Sequence, residues 1–194
     1  METTPASHAD DAPLVTSKTV AGDDAAATMG LVPRGDALTG FVVTINRPRQ
    51  ALFDYFRDFA QLPTFMENVA RIDVLDARRS HWVVKAPAGK TVEWDAVVTE
   101  EQPGELIAWA SADGADVPNS GRITFRDAGA RGTIVTAQIL YDPPAGVVGK
   151  VIAKMFQREP AIQVRRDLRR FKQLMETGEV TTAARNRAAQ HEKD

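Results

Sequence analysis

Residues 79–112 read RSHWVVKAPAGKTVEWDAVVTEEQPGELIAWASA. Three apolar runs stand here, separated by Pro87-Ala88-Gly89 and Gln102-Pro103-Gly104. Within each run the apolar residues alternate with others. Trp82 pairs with Val84, Trp94 with Val92, Ala96 and Val98, and Trp109 with Ile107. A period of two is strand geometry, and connections this short join antiparallel neighbours rather than carry a helical crossover. The pattern continues on both sides. Strands are predicted over approximately 69–76, 79–86, 90–99, 104–112, 119–127 and 131–142, with Asp113-Gly114 and Asp127-Ala128-Gly129 as further turns.

Upstream, Phe41-Val42-Val43-Thr44-Ile45 is β-branched and reads as one more strand. Arg47-Pro48 then opens a helix, because proline is tolerated in a first turn. Leu52, Phe53, Phe56 and Phe59 recur at helical spacing, and a short second helix is predicted over Ala60 to Met66, broken near Pro63. Downstream, Asp142-Pro143-Pro144 marks the approach to a long helix. Val148, Val151, Ile152, Met155 and Phe156 form its apolar stripe, which Val164, Leu168, Phe171 and Met175 continue. Pro160 interrupts that helix, and Thr177-Gly178 stops it. The sum is an α+β pattern: a seven-stranded antiparallel curved sheet wrapped around a long C-terminal helix, with two short helices after the first strand. A curved sheet gripping one helix encloses a cavity, and an apolar ligand would sit there.

The chain has 194 residues, 43% of them apolar and 26% charged, with a net charge of −2. This is the composition of an ordinary globular protein and gives no global attraction to nucleic acid. Cysteine is absent, which removes disulfides, thiolate nucleophiles and iron–sulfur clusters and fits a cytoplasmic location. Of three histidines only His81 lies in a segment predicted to fold, so a multi-histidine metal site is not expected. No cofactor is expected. No run reaches the length of a membrane span, and no secretory signal is visible. Residues 1–39 carry six acidic against two basic residues and no periodicity, so they read as a disordered acidic tail. The ligand-binding domain is placed at 40–178 and a polar C-terminal tail at 179–194.

Several strings resemble the START-like superfamily, also called SRPBCC, and within it the polyketide cyclase/dehydrase type. They are Ile45-Asn46-Arg47-Pro48, Phe53-Asp54-Tyr55-Phe56-Arg57-Asp58-Phe59 and Leu62-Pro63-Thr64-Phe65-Met66. Others are Trp82-Val83-Val84-Lys85-Ala86-Pro87-Ala88-Gly89, Val92-Glu93-Trp94-Asp95, Gly132-Thr133, Tyr141-Asp142-Pro143-Pro144 and Leu168-Arg169-Arg170-Phe171-Lys172. The resemblance covers roughly Gly40 to Val180 and implies the helix-grip fold. It implies no single activity, because the superfamily holds lipid carriers, hormone binders, quinone-binding proteins and cyclases alike.

The candidate ligand-binding residues are therefore Trp82, Val84, Trp94, Trp109 and Tyr141 on the strands, and Ile152, Met155 and Phe156 on the helix. Arg122 is read as facing solvent with Thr124 and Arg126, and Glu93, Asp95 and His81 as lying opposite the tryptophans. From Lys150 to Lys172 the closing helix carries eight basic residues against Glu159 and Asp167. Such a face offers weak contact with an anionic membrane surface. No catalytic constellation is recognisable. Two functions stay open: binding of a small hydrophobic or aromatic molecule (a lipid, a quinone or a polyketide-like compound), or a polyketide aromatase/cyclase or dehydratase using the same cavity.

Overall fold

The computed structural model describes residues 37–86, 89–141 and 160–180. Seven strands form one antiparallel sheet in the order β1-β7-β6-β5-β4-β3-β2. They are β1 (Ala37–Ile45), β2 (Val69–Val74), β3 (Arg79–Lys85), β4 (Thr91–Gln102), β5 (Leu106–Ser111), β6 (Asn119–Asp127) and β7 (Thr133–Tyr141). Strands β2 to β7 form a meander, as the short turns require. The exception is the step from β1 to β2, which crosses to the far edge through α1 (Arg49–Arg57) and a 3₁₀ helix (Phe59–Thr64). The last described helix is α2 (Pro160–Thr177). The sheet is curled, and α2 closes a helix-grip α+β fold.

The first strand starts at Ala37, earlier than β-branching alone predicts. Its extra residues pair with β7 to the end, Ala37 opposite Tyr141 and Gly40 opposite Gln138. The partner strand, not local propensity, sets this boundary. The proposed disorder of the chain before it, and the helical stripe from Val148 to Phe156, lie outside the described residues.

The alternation read from sequence holds on both faces. On the concave face Phe41, Val43, Ile45, Val98, Ile107, Ile123, Phe125, Val135 and Ala137 join one buried cluster with Leu52, Phe53, Phe56, Phe59, Leu62 and Phe65. Val164, Leu168 and Phe171 of α2 complete it. Phe171 is fully buried, with ring centroids 4.8 Å from Phe65, 5.9 Å from Phe56 and 6.0 Å from Tyr55. The far end of α2 is also tied down. The Asn46 backbone N–H donates to Glu176 Oε1 at 2.7 Å, and Arg47 Nη2 to the Glu176 carbonyl at 2.8 Å. Gly178, at φ +78°, ends the helix in the left-handed conformation expected of Thr177-Gly178.

One irregularity re-aims a side chain. In β4 the pairing shifts between Val98, opposite Trp109, and Glu100, opposite Ala108. Strict alternation would turn Glu100 inward with Val98. The extra residue turns it to the convex face and bends the strand there.

Gly132 sits at the turn into β7 with φ +91°, and a Cβ built on it would collide with the Ile45 carbonyl oxygen. Both the backbone angle and the approach demand glycine. Gly132→Ala is expected to destabilise the fold by at least about 2 kcal/mol, measured by urea unfolding. Gly114→Ala, with φ +85° but open space around its Cβ, is expected to cost less.

Candidate functional site

Trp82, Trp94 and Trp109 all lie on the concave face, as the alternation predicted. Trp82 and Trp94 are cross-strand partners, their rings stacked with centroids 6.2 Å apart and planes within 9°. Trp82 Nε1 donates to Ser80 Oγ at 2.9 Å, which fixes the indole, and its ring stands 6.4 Å from Phe59. Trp109 packs against Gly121, its cross-strand partner, where any Cβ would collide with the indole. Strand pairing, which joins Gly121 to Trp109, is not contained in the sequence period. The signal is the missing side chain opposite a large one.

All three tryptophans are only partly buried, while Val84, Val92 and Val98 around them are buried. Val84 forms a second small cluster with Val92 and Val117, against which Trp94, Val69 and Ala86 pack. The structure thus brings together Trp82, Val84, Trp94 and Trp109 on one surface. Tyr141 ends β7, and its side chain lies outside the described residues, as do Ile152, Met155 and Phe156.

The convex face carries the charged groups. His81 Nδ1 is 2.7 Å from Asp95 Oδ1, and its Nε2 is 3.4 Å from Glu93 Oε2. Alternation puts these three on that face, and the register, with His81 opposite Asp95, pairs them. Arg122 reaches across Ala108 to Glu100, Nη2 to Oε2 at 2.8 Å. It faces outward with Thr124, as expected. A cleft of about 430 Å³ opens nearby, between Arg49, Gln102, Glu105 and Arg126. Its charges are largely balanced, with Arg49 and Glu105 paired at 2.9 Å. Among the described residues no group of three or more histidines and carboxylates is arranged to hold a metal ion.

One titratable group was missed. Asp167 lies on the flank of α2 facing the turn at residues 66–68. Gln163 Nε2 donates to its Oδ1 at 2.9 Å, and one helical turn's shift away Arg170 Nη1 bonds Glu67 Oε2 at 2.7 Å. Burial pushes the Asp167 carboxyl up to about 7, against the opposing pull of the Gln163 hydrogen bond and the Arg170 charge. The sequence signal was an acid beside the apolar positions Val164, Leu168 and Phe171 rather than among the basic ones.

The family model for polyketide cyclase / dehydrase and lipid transport proteins matches residues 41–176. The chain belongs to that family. A curated family relative, an uncharacterised 17.2 kDa protein of Streptomyces lincolnensis, is 30% identical over 135 residues, covering 69% of this chain and 86% of that one. A crystallised Deinococcus radiodurans protein, DR_A0006, is 41% identical with a TM-score of 0.59, covering 73% and 99% of the two chains. The di-domain ARO/CYC StfQ of the steffimycin biosynthetic pathway shares the fold at 15% identity and a TM-score of 0.55, over 72% of this chain and 50% of that one. No described helix of this family member is long and apolar enough to cross a membrane.

Among the described residues two groups make stability depend on pH near neutrality. The hydrogen bond that His81 donates to Asp95 leads the causes that raise the His81 pKa above its ordinary 6.5. That stabilisation is full below about pH 6.5 and is lost as pH rises through the folded pKa. Asp167 is raised too, but it is an acid, so its penalty grows as pH rises from about 4 to about 7. Stability is therefore expected to fall between pH 5 and pH 8. Asp167→Asn should raise it at pH 8 by roughly 1–3 kcal/mol and flatten most of the slope, as read by urea unfolding across pH.

Proposed function

We propose that the protein binds a small hydrophobic or aromatic molecule against the tryptophan-bearing concave face. Lipids, quinones and polyketide-like compounds are the classes that fit. The observation that supports this is the partial exposure of Trp82, Trp94 and Trp109 on a face where Val84, Val98, Ile107, Ile123 and Phe125 are buried. The stacked Trp82–Trp94 pair offers a flat wall to a ring or chain, and Trp109 a second. The family description, which includes lipid transport, agrees with this reading. Binding selectivity would come from shape. About 200 Å² of buried apolar ligand surface supplies roughly 5 kcal/mol before association costs, so micromolar affinity calls for a larger ligand or a few hydrogen bonds. We place the protein in the cytoplasm, on the absence of cysteine. Arg165, Arg166 and Arg169, exposed on α2, suit weak contact with an anionic membrane surface.

Fatty acids, quinones, flavonoids and aromatic polyketides should be titrated while tryptophan fluorescence is read. A saturable quench or shift is expected for at least one class. Gly121→Ala, which forces the Trp109 indole off its platform, should change that affinity several-fold. If no class perturbs the fluorescence, the binding reading fails.

A second reading, an aromatase/cyclase or dehydratase, is favoured by Asp167. Such chemistry needs a group that removes a proton beside a carbonyl or gives one to a departing hydroxyl, and a carboxyl titrating near pH 7 does both well. Asp167 flanks the 66–68 turn, which leads into Val69 beside Val84 and Trp94. On this reading, turnover of a poly-β-keto thioester should be at least about 100-fold slower in Asp167→Asn. Turnover that survives the substitution would remove Asp167 from the chemistry.

A further inference from the structure

The sheet has two edge strands, and they are not alike. Along β1 packs α2, with Arg165 over the Phe41 ring at 5.7 Å. The other edge is β2, and among the described residues no further strand pairs with it. At its start the Val69 N–H is taken by the Met66 carbonyl at 3.1 Å. Beyond that, Ala70, Arg71, Asp73 and Val74 are exposed. Val74 and Leu75, at 54% and 50%, are the exposed large hydrophobic residues among those described. The alternation of an antiparallel ladder tells which backbone groups face the open side. The Leu75 N–H donates to the Arg79 carbonyl at 2.9 Å, so Leu75 and Asp73 turn their backbone groups towards β3. Ile72 and Val74 turn theirs outward. An edge like this is a template for another strand unless charge or shape forbids it. β2 has no proline and no lysine, and its two charges, Arg71 and Asp73, are opposite in sign and exposed on the convex face.

We propose that β2 is a dimerisation strand, pairing antiparallel with β2 of a second copy about a two-fold axis at Ile72. Outward backbone groups must meet outward backbone groups, so the axis can pass through Ile72, Asp73 or Val74. With the axis at Asp73, two aspartates stand directly opposite each other and repel. With the axis at Val74, Asp73 faces Leu75 and no charge is matched. With the axis at Ile72, Arg71 of each copy faces Asp73 of the other, twice by symmetry. Ile72 then exchanges both backbone hydrogen bonds with its own copy, and the exposed Val74 comes to lie beside Ala70. The pairing irregularity between Val69 and Arg71 falls outside the central block of Arg71, Ile72 and Asp73. Charge complementarity thus selects both the occupant and the register. Ile72, Trp82 and Trp94 are in register across β2, β3 and β4. Pairing carries that row across the axis and sets the two copies of Trp82 three strand spacings, about 14 Å, apart in one continuous sheet. A contact one strand wide falls short of a standard interface of about 1,600 Å², so the dimer is weak and depends on concentration.

Sedimentation velocity of the full chain from about 10 μM to about 1 mM should show a reversible monomer–dimer equilibrium. Arg71→Asp and Asp73→Arg each set like charges opposite one another and should weaken self-association several-fold. An equimolar mixture of these two variants matches opposite charges at both positions and should dimerise as the unsubstituted chain does. The double variant Arg71→Asp/Asp73→Arg should do the same. Near-ultraviolet circular dichroism of the tryptophans should stay native throughout, because both side chains are more than half exposed. A chain that stays monomeric over the whole range overturns the proposal. So does a dimer that the single variants leave unchanged, which lies on another face, or one that the mixture fails to restore.

Discussion

The structure depends on the burial of Phe171. A curled sheet covers nothing by itself, and α2 has one apolar stripe with which to cover it. Phe171 drives that stripe between Phe65, Phe56 and Tyr55, which the β1–β2 crossing has carried over the same face. Phe56 and Phe53 in turn meet Phe125 at 6.3 Å and 5.8 Å, edge to face. One side chain therefore couples α1, the 3₁₀ helix, α2 and β6. Truncating such a residue costs about 3–5 kcal/mol, much of it from the void left behind. The polar ties at Asn46 and Arg47 set the angle of the helix, but they are exposed or half-exposed and contribute less.

That anchor divides the concave face in two. At the phenylalanine end the face is sealed and serves stability. At the other end Trp82, Trp94 and Trp109 retain exposure although they are the largest side chains on the sheet. A core has no reason to leave its largest members uncovered, since full burial of an aromatic ring is among its strongest stabilising terms. The two devices that hold these rings point the same way. Ser80 orients one indole by a hydrogen bond, and Gly121 gives up its side chain to seat another. Both fix the geometry of a surface rather than increase its burial.

Much of this was legible because it is local. The number and order of the strands, the helix after Pro48, the stop at Gly178 and the inward direction of each tryptophan follow from period and turn chemistry, and the structure bears them out. What was missed depends on register. The His81–Asp95 pair, the Arg122–Glu100 bridge, the seat of Trp109 on Gly121 and the early start of β1 all join residues that only strand pairing brings together. Glu100 shows the difference well, since one bulge in β4 reverses the face that simple counting assigns to it. Asp167 was counted as one of two acids in a basic helix. Its meaning comes from the turn it faces, which the helix periodicity does not contain.

The placement of charge then bears on what chemistry the site can support. On the convex face nearly every ion named above has a partner, so those groups stabilise one another and are committed. On the tryptophan wall the side chains are apolar apart from Ser80, which holds Trp82, and the buried Ser111. Asp167, on α2 beside the 66–68 turn, is removed from water, which makes its proton hard to give up. A carboxyl in that state is unfavourable for stability at neutral pH. A buried carboxyl of this kind is the pattern expected where a fold gives up stability for function. An apolar ligand with a carbonyl or hydroxyl at one end suits both the wall and this carboxyl. On the proposed reading its rings or chain would meet the indoles, and its oxygen would meet a carboxyl that donates below about pH 7 and accepts above it. Binding of such a ligand should therefore change its pH dependence in Asp167→Asn, whereas a purely hydrocarbon ligand should be indifferent to the substitution.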